Sequence, residues 1–160
     1  MPSKRHCNSS GFTLLEVILV LVLMSIFATI AVSRQHISDV SVQAASEVLK
    51  SHIRYAQMRS MNTSTPWGIH YDNGTNAYWL FRQTSGERRT LPGETRDSVD
   101  LAADGVAITQ GTFTLSFDTW GEPTISDAQF QFQQRKAVIT LAKGADTRDI
   151  TITANTGFLQ

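Results

Sequence analysis

The feature that most constrains this chain is the stretch SSGFTLLEVILVLVLMSIFATIAVSRQ, Ser9 to Gln35. Within it the run Phe12 to Val32 is predominantly apolar. As a helix rising 1.5 Å per residue it spans about 31 Å, which matches a hydrocarbon core of roughly 30 Å. Lys4 and Arg5 precede the run, while Arg34, His36 and Asp39 follow it. That charge bias predicts an anchor with its N-terminus inside and its C-terminal part outside. A cleavable export signal is the rival reading: it needs a shorter apolar region and a small-residue site, for which TIA ending at Ala31 would serve. The run also carries a carboxylate, Glu16, and no Lys, Arg or His within it answers that charge. An ionised acid at the centre of a bilayer costs roughly 2.5–3.5 kcal/mol, less near an end. Glu16 is one turn from Phe12, so it is either a tolerated interfacial charge or an acid awaiting a cation. Cutting between Gly11 and Phe12 would create such a cation, an α-amine with an ordinary pKa of about 7.7–8.0. The amine could come from the same chain or from a neighbouring copy shifted along the axis.

The remainder reads as one folded body. The chain has 160 residues, 41% apolar and 18% charged, too apolar and too aromatic for a disordered tail. About 125 residues follow the apolar run, enough for a single core without metals or crosslinks. The lone cysteine, Cys7, excludes an intrachain disulfide and a thiolate metal site. It precedes the apolar run, the wrong order for a lipoprotein. Formal net charge is zero, and without Lys4 and Arg5 the body carries about −2, so it has no bulk attraction to nucleic acid.

After Val32 no proline or glycine occurs until Pro66. Val42, Ala45, Leu49, Ile53 and Ala56 form a single stripe on a 3.6-residue period. The spacing predicts that the helix continues to about Met61, and Pro66 ends it. Glu47 and Lys50 suit an i,i+3 pair. From Pro66 the period becomes two. WGIHY and AYWLF flank DNGTN, a predicted hairpin with its turn at Asn73-Gly74. QTSGERRTLPGETRD reads as a polar loop. VDL, VAI, FTLSF, FQF, AVITL and DITIT then read as short antiparallel strands, with DTWGEP as a turn. The fold class predicted is α+β, a long N-terminal helix packed on antiparallel sheet.

Chemistry is sparse. No nucleophile elbow, zinc-protease helix, phosphate loop or dinucleotide glycine set occurs. His36, His52 and His70 have no partner that the sequence names. Asp146 and Asp149, placed in a hairpin loop, offer too few oxygens for calcium. Trp67, Trp79 and Trp120 are read as sheet core. Arg88-Arg89, with Arg82 and Arg96 nearby, is the one basic cluster and the one candidate phosphate contact. No catalytic residue, metal or cofactor is expected, and the chain is not read as an enzyme.

The residues GFTLLEVILVLVLMSI closely resemble the N-terminal signature of type IV prepilins and type II secretion pseudopilins: a short basic leader ending in glycine, then Phe, Thr, Leu, a hydrophobic residue and Glu, then a long apolar helix. The resemblance implies a prepilin peptidase that cuts after Gly11 and N-methylates Phe12. It also implies that Glu16 pairs with the N-terminal amine of an adjacent subunit during assembly. More loosely, SEVLKSHIRYAQMRSMNTSTPWGIHYD, FTLSFDTWGEPT and DITITANTGFLQ resemble minor subunits of the FimT/GspH type. Some FimT-like subunits bind DNA through basic residues near the C-terminus. This chain has no Arg or Lys after Arg148, which counts against that role.

The resulting organisation is a leader over 1–11, a membrane and filament-core helix over 12–33, and a periplasmic head over 34–160, helical over 34–61 and β-rich over 66–160. The function implied is a minor pilin or pseudopilin of the inner membrane that assembles into, or primes, a type IV pilus or secretion pseudopilus. The partners implied are the peptidase, other pilin subunits and the inner-membrane assembly platform. A DNA-binding minor pilin and a membrane-tethered periplasmic enzyme are the two alternatives.

Overall fold

The computed structural model describes residues 13–127 and 130–160, with the helical backbone but not the side chains of 28–40. The chain divides into two compact units, Met1–Ile37 and Ser38–Gln160. One helix, α1 (Leu14–Thr63), is 50 residues long and contributes to both.

In the first unit every described side chain from Thr13 to Phe27 is exposed. Leu14, Leu15, Met24 and Phe27 are the most open of the large apolar ones. No helix among the described residues is long and apolar enough to cross a membrane. The expected span over 12–33 falls partly outside the described residues. Its described side chains stop at Phe27, short of the roughly 20 apolar residues that a crossing needs. The leader residues 1–11 and Phe12 lie outside the described residues.

In the second unit the helical stripe is the organising face. Val42, Leu49, Ile53 and Ala56 are fully buried and Ala45 packs against them. Each large aliphatic side chain so buried contributes about 1.5–3 kcal/mol. The Glu47–Lys50 pair forms at 2.9 Å. The helix ends at Thr63, and Ser64 takes φ 52°, turning the chain toward Pro66 before the first strand.

Among the described residues nine strands follow: β1 (Trp67–Asp72), β2 (Ala77–Arg82), β3 (Thr84–Arg89), β4 (Val99–Asp100), β5 (Ala107–Ile108), β6 (Phe113–Phe117), β7 (Pro123–Ser126), β8 (Lys136–Lys143) and β9 (Asp146–Thr153). One sheet runs β3-β2-β1-β6-β7 with β4 also on β2, and the second runs β5-β8-β9. All pairings are antiparallel. The α+β class holds. Tyr71, Tyr78, Leu80, Phe113, Leu115 and Phe117 of the first sheet share one buried cluster with the helical stripe and with Ile139, Leu141, Ile150 and Ile152 of the second.

Several local expectations change. The β1–β2 hairpin exists, but Asp72 pairs with Ala77, so the loop has four residues and its left-handed position is Asn76, φ 49°, not Gly74. Asp72 Oδ1 and Oδ2 accept from Gly74 N and Thr75 Oγ1, and this favours the wider loop. The polar loop over QTSGERRTLPGETRD contains strand β3, an edge strand with mostly exposed residues and so no apolar alternation to read. FQF is not a strand: Gln133 and Lys136 close a tight turn whose two central residues, Gln134 and Arg135, have positive φ. Asp146 and Asp149 belong to β9, and the turn before it uses Gly144. Trp67 and Trp79 are core, but Trp120 is 87% exposed at the tip of a loop. There Asp118 Oδ1 accepts from Trp120 N and Glu122 N.

The helix is tied to this frame by polar side chains. Ser60 Oγ donates to Phe117 O and accepts from Trp67 N, both at 2.7 Å. Gln57 Nε2 donates to Gly121 O and Thr156 O, both at 2.9 Å. Gly157, φ 62°, lies so close that an added Cβ would press on the Gln57 amide and the Gly121 carbonyl, which is why the turn needs glycine there.

Candidate functional site

The start of α1 is built by Thr13. Its hydroxyl accepts from the Glu16 backbone N–H at 3.3 Å, and its carbonyl accepts from Glu16 N and Val17 N. Thr13 is thus the N-cap and Glu16 the third helical residue, the spacing of a Thr-x-x-Glu capping box. Glu16 sits in the first turn, where the positive end of the helix dipole favours a carboxylate. It is exposed, and among the described residues no cation pairs with it. Sequence reasoning missed Thr13, although the four-residue pattern Thr-Leu-Leu-Glu carries the signal.

An acid at the head of the stretch Thr13 to Phe27, whose other side chains are almost wholly apolar and all exposed, is an arrangement that needs a partner. A helix apolar on every side is stable only when buried in protein or lipid. Residues 7–32 match the family model of the prokaryotic N-terminal methylation motif. The match supports a type IV prepilin-like protein. That motif takes in the Gly11–Phe12 junction, Glu16 and the apolar run in one block. No curated protein and no solved structure matches the chain.

The other expected residues with described side chains do not converge on one another. Arg88 and Arg89 are neighbours on β3, so their side chains leave opposite faces of the sheet. The Arg88 guanidinium stacks 3.9 Å from the Trp79 ring, while Arg89 pairs with Glu87 at 2.6 Å. The two do not form a joint phosphate clamp.

His52 is buried in α1, with Nδ1 2.9 Å from the Tyr78 hydroxyl and Nε2 3.2 Å from Pro92 O. A carbonyl can only accept, so Nε2 carries the proton and Nδ1 accepts from Tyr78. Burial pushes the imidazole below its ordinary pKa, against the Pro92 bond and the charge of Glu94. Burial likewise raises the Tyr78 hydroxyl, with Glu94 adding to it. His70 stands in β1, its Nδ1 2.7 Å from Thr114 Oγ1 and its ring 4.6 Å from Trp79. It too is lowered, by burial first, with Asp72 opposing and Arg88 assisting. His52 and His70 are both hydrogen-bonded packing residues, and the side chain of His36 lies outside the described ones. Among the described residues no group of His, Cys, Asp and Glu could hold a metal ion.

Proposed function

We propose that this chain is a structural subunit of a type IV pilus or type II secretion pseudopilus. The peptidase cuts after Gly11, methylates the new amine of Phe12, and Glu16 meets such an amine on an adjacent subunit. The apolar part of α1 is then buried among neighbouring helices, while the head is displayed. In this reading the chain is a substrate of the peptidase and not an enzyme. Before assembly it is held in the inner membrane, with its head on the periplasmic side, and is delivered by the membrane assembly platform.

The observation that carries the proposal is the methylation motif over residues 7–32. Support comes from the exposed apolar helix that starts with a capped turn bearing Glu16. We propose further that the subunit is a minor one of the FimT/GspH type. The patches that resemble that type fall on α1 running into β1, on β6 running into β7, and on β9 with its following turn.

Mass spectrometry of the chain purified from its own membranes tests the class. The expected N-terminus is N-methylated Phe12. A chain beginning at Met1 or at Val32 would overturn the proposal.

A further inference from the structure

The edge of β8 is left open at one point. β5 pairs Ala107 with Ala142 and Ile108 with Leu141, and Thr109 N then donates to Thr140 O. At Gln110 the backbone ladder stops and a side chain continues it. Gln110 Nε2 donates to Val138 O at 2.9 Å and its Oε1 accepts from Thr140 N at 3.0 Å. The side-chain amide therefore occupies the place that the next peptide group of a neighbouring strand would take. Four residues further back along β8 the edge is closed again, by the paired bonds between Gln133 and Lys136.

Between these two seals lies a groove of about 620 Å³, lined in part by Gln110, Gln133, Gln134, Lys136 and Val138. Thr140 N and O both face this edge. Backbone groups alternate sides along a strand, so Val138 N faces it as well. The carbonyl of Val138 is taken by Gln110, but its N–H has no partner among the described residues. The Lys136 ammonium is the one charge among those five side chains, and among the described residues no carboxylate pairs with it.

We propose that this groove receives an extended segment of a neighbouring filament subunit, which adds as a strand to β8. The incoming segment runs antiparallel to β8 and exchanges both backbone bonds with Val138. It takes over the Thr140 N bond as the Gln110 amide swings out. An acidic side chain on the segment faces Lys136. Strand addition to an open sheet edge draws affinity from main-chain bonds and specificity from alternate side chains. Gln110 is the reversible seal: before assembly it blunts an edge that would otherwise pair indiscriminately. The inference rests on the filament-subunit reading, since the occupant is another subunit.

Site-resolved hydrogen exchange tests it, comparing the full-length mature chain in detergent micelles with the same chain in filaments from a complete assembly system. The Val138 amide is expected to exchange about 100-fold more slowly in filaments. Val138→Pro removes that N–H from a strand edge, where proline is tolerated. It should melt like the wild type in micelles yet enter filaments about 10-fold less. Gln110→Ala should speed exchange at Thr140 in micelles, with protection restored in filaments. Unchanged exchange at Val138 in filaments that contain the chain overturns the inference and leaves the proposed function standing. If the chain never enters filaments, both fall. Protection of Val138 in micelles by an added oligosaccharide, with none in filaments, would also overturn it. Should Val138→Pro fail to fold, the wild-type comparison decides alone.

Discussion

Ser60 and Trp67 are joined by a 2.7 Å bond in which the helix hydroxyl accepts from the first backbone N–H of β1. The same hydroxyl donates to Phe117 O in β6, and Ser60 is fully buried. One oxygen thus fixes α1 to two adjacent strands.

Ser60→Ala leaves a buried N–H and a buried carbonyl without that partner. The expected loss is about 1–3 kcal/mol. Urea denaturation should show a lower midpoint with an unchanged slope, since no surface is newly exposed. A midpoint equal to wild type would remove Ser60 from the set of residues holding the helix in place.

The pH dependence of stability follows from His52. In the folded head its pKa lies below the ordinary 6.5, while the unfolded chain titrates near that value. The unfolded state therefore binds more protons as pH falls below about 6.5, and stability declines until the folded pKa is passed. His70 shifts in the same direction and adds to the slope. His52→Gln keeps a donor for Pro92 O without the titration. Its melting temperature between pH 7 and pH 5 should fall less than that of wild type.

Charge and capping at the start of α1 are separable. Glu16→Gln retains the backbone N–H that Thr13 accepts, so the helix still begins at the same place. The variant should be processed normally but be nearly absent from sheared filaments. Thr13→Ala loses the cap at about 1 kcal/mol and keeps the carboxylate. It should remain present in filaments, as judged by immunoblotting of sheared fractions. Equal incorporation of Glu16→Gln and wild type would mean that the carboxylate serves only the helix terminus.

Arg88 and Arg89 should differ when removed. Arg88→Ala uncovers Trp79 and forfeits a stacked cation, about 0.5–1 kcal/mol. Trp79 fluorescence should shift to the red. Arg89→Ala breaks a half-exposed pair with Glu87 and should cost less than about 1 kcal/mol, with no change in emission. Identical behaviour of the two variants would contradict their placement on opposite faces of β3.

What could be read beforehand was periodic. Val42, Leu49, Ile53 and Ala56 announce their burial because a helix repeats every 3.6 residues. Trp67, Ile69 and Tyr71 do so because a strand alternates. β3 was hidden because an edge strand with polar residues on both faces has no such rhythm. Trp120 misleads because an indole usually seeks the core, whereas an Asp118-braced turn holds this one out. The seal at Gln110 and the bridge at Gln57 were illegible for another reason. Their amides bond to backbone groups 28 to 99 positions away, and no local pattern encodes such a partner. At the N-terminal site, Glu16 was conspicuous as an uncompensated charge, and Thr13 was overlooked though its spacing was in plain view.

The bond from Gln57 to Thr156 links residues 99 apart in the chain. A ribosome has long since released the helix when it reaches that carbonyl. The helix then lacks this clamp until the last strand and its turn have been made. A chain threaded through a translocon cannot close its body until Thr156 has emerged on the far side. For a subunit exported as proposed, completion of the fold would follow delivery, which keeps the chain slack enough to be moved.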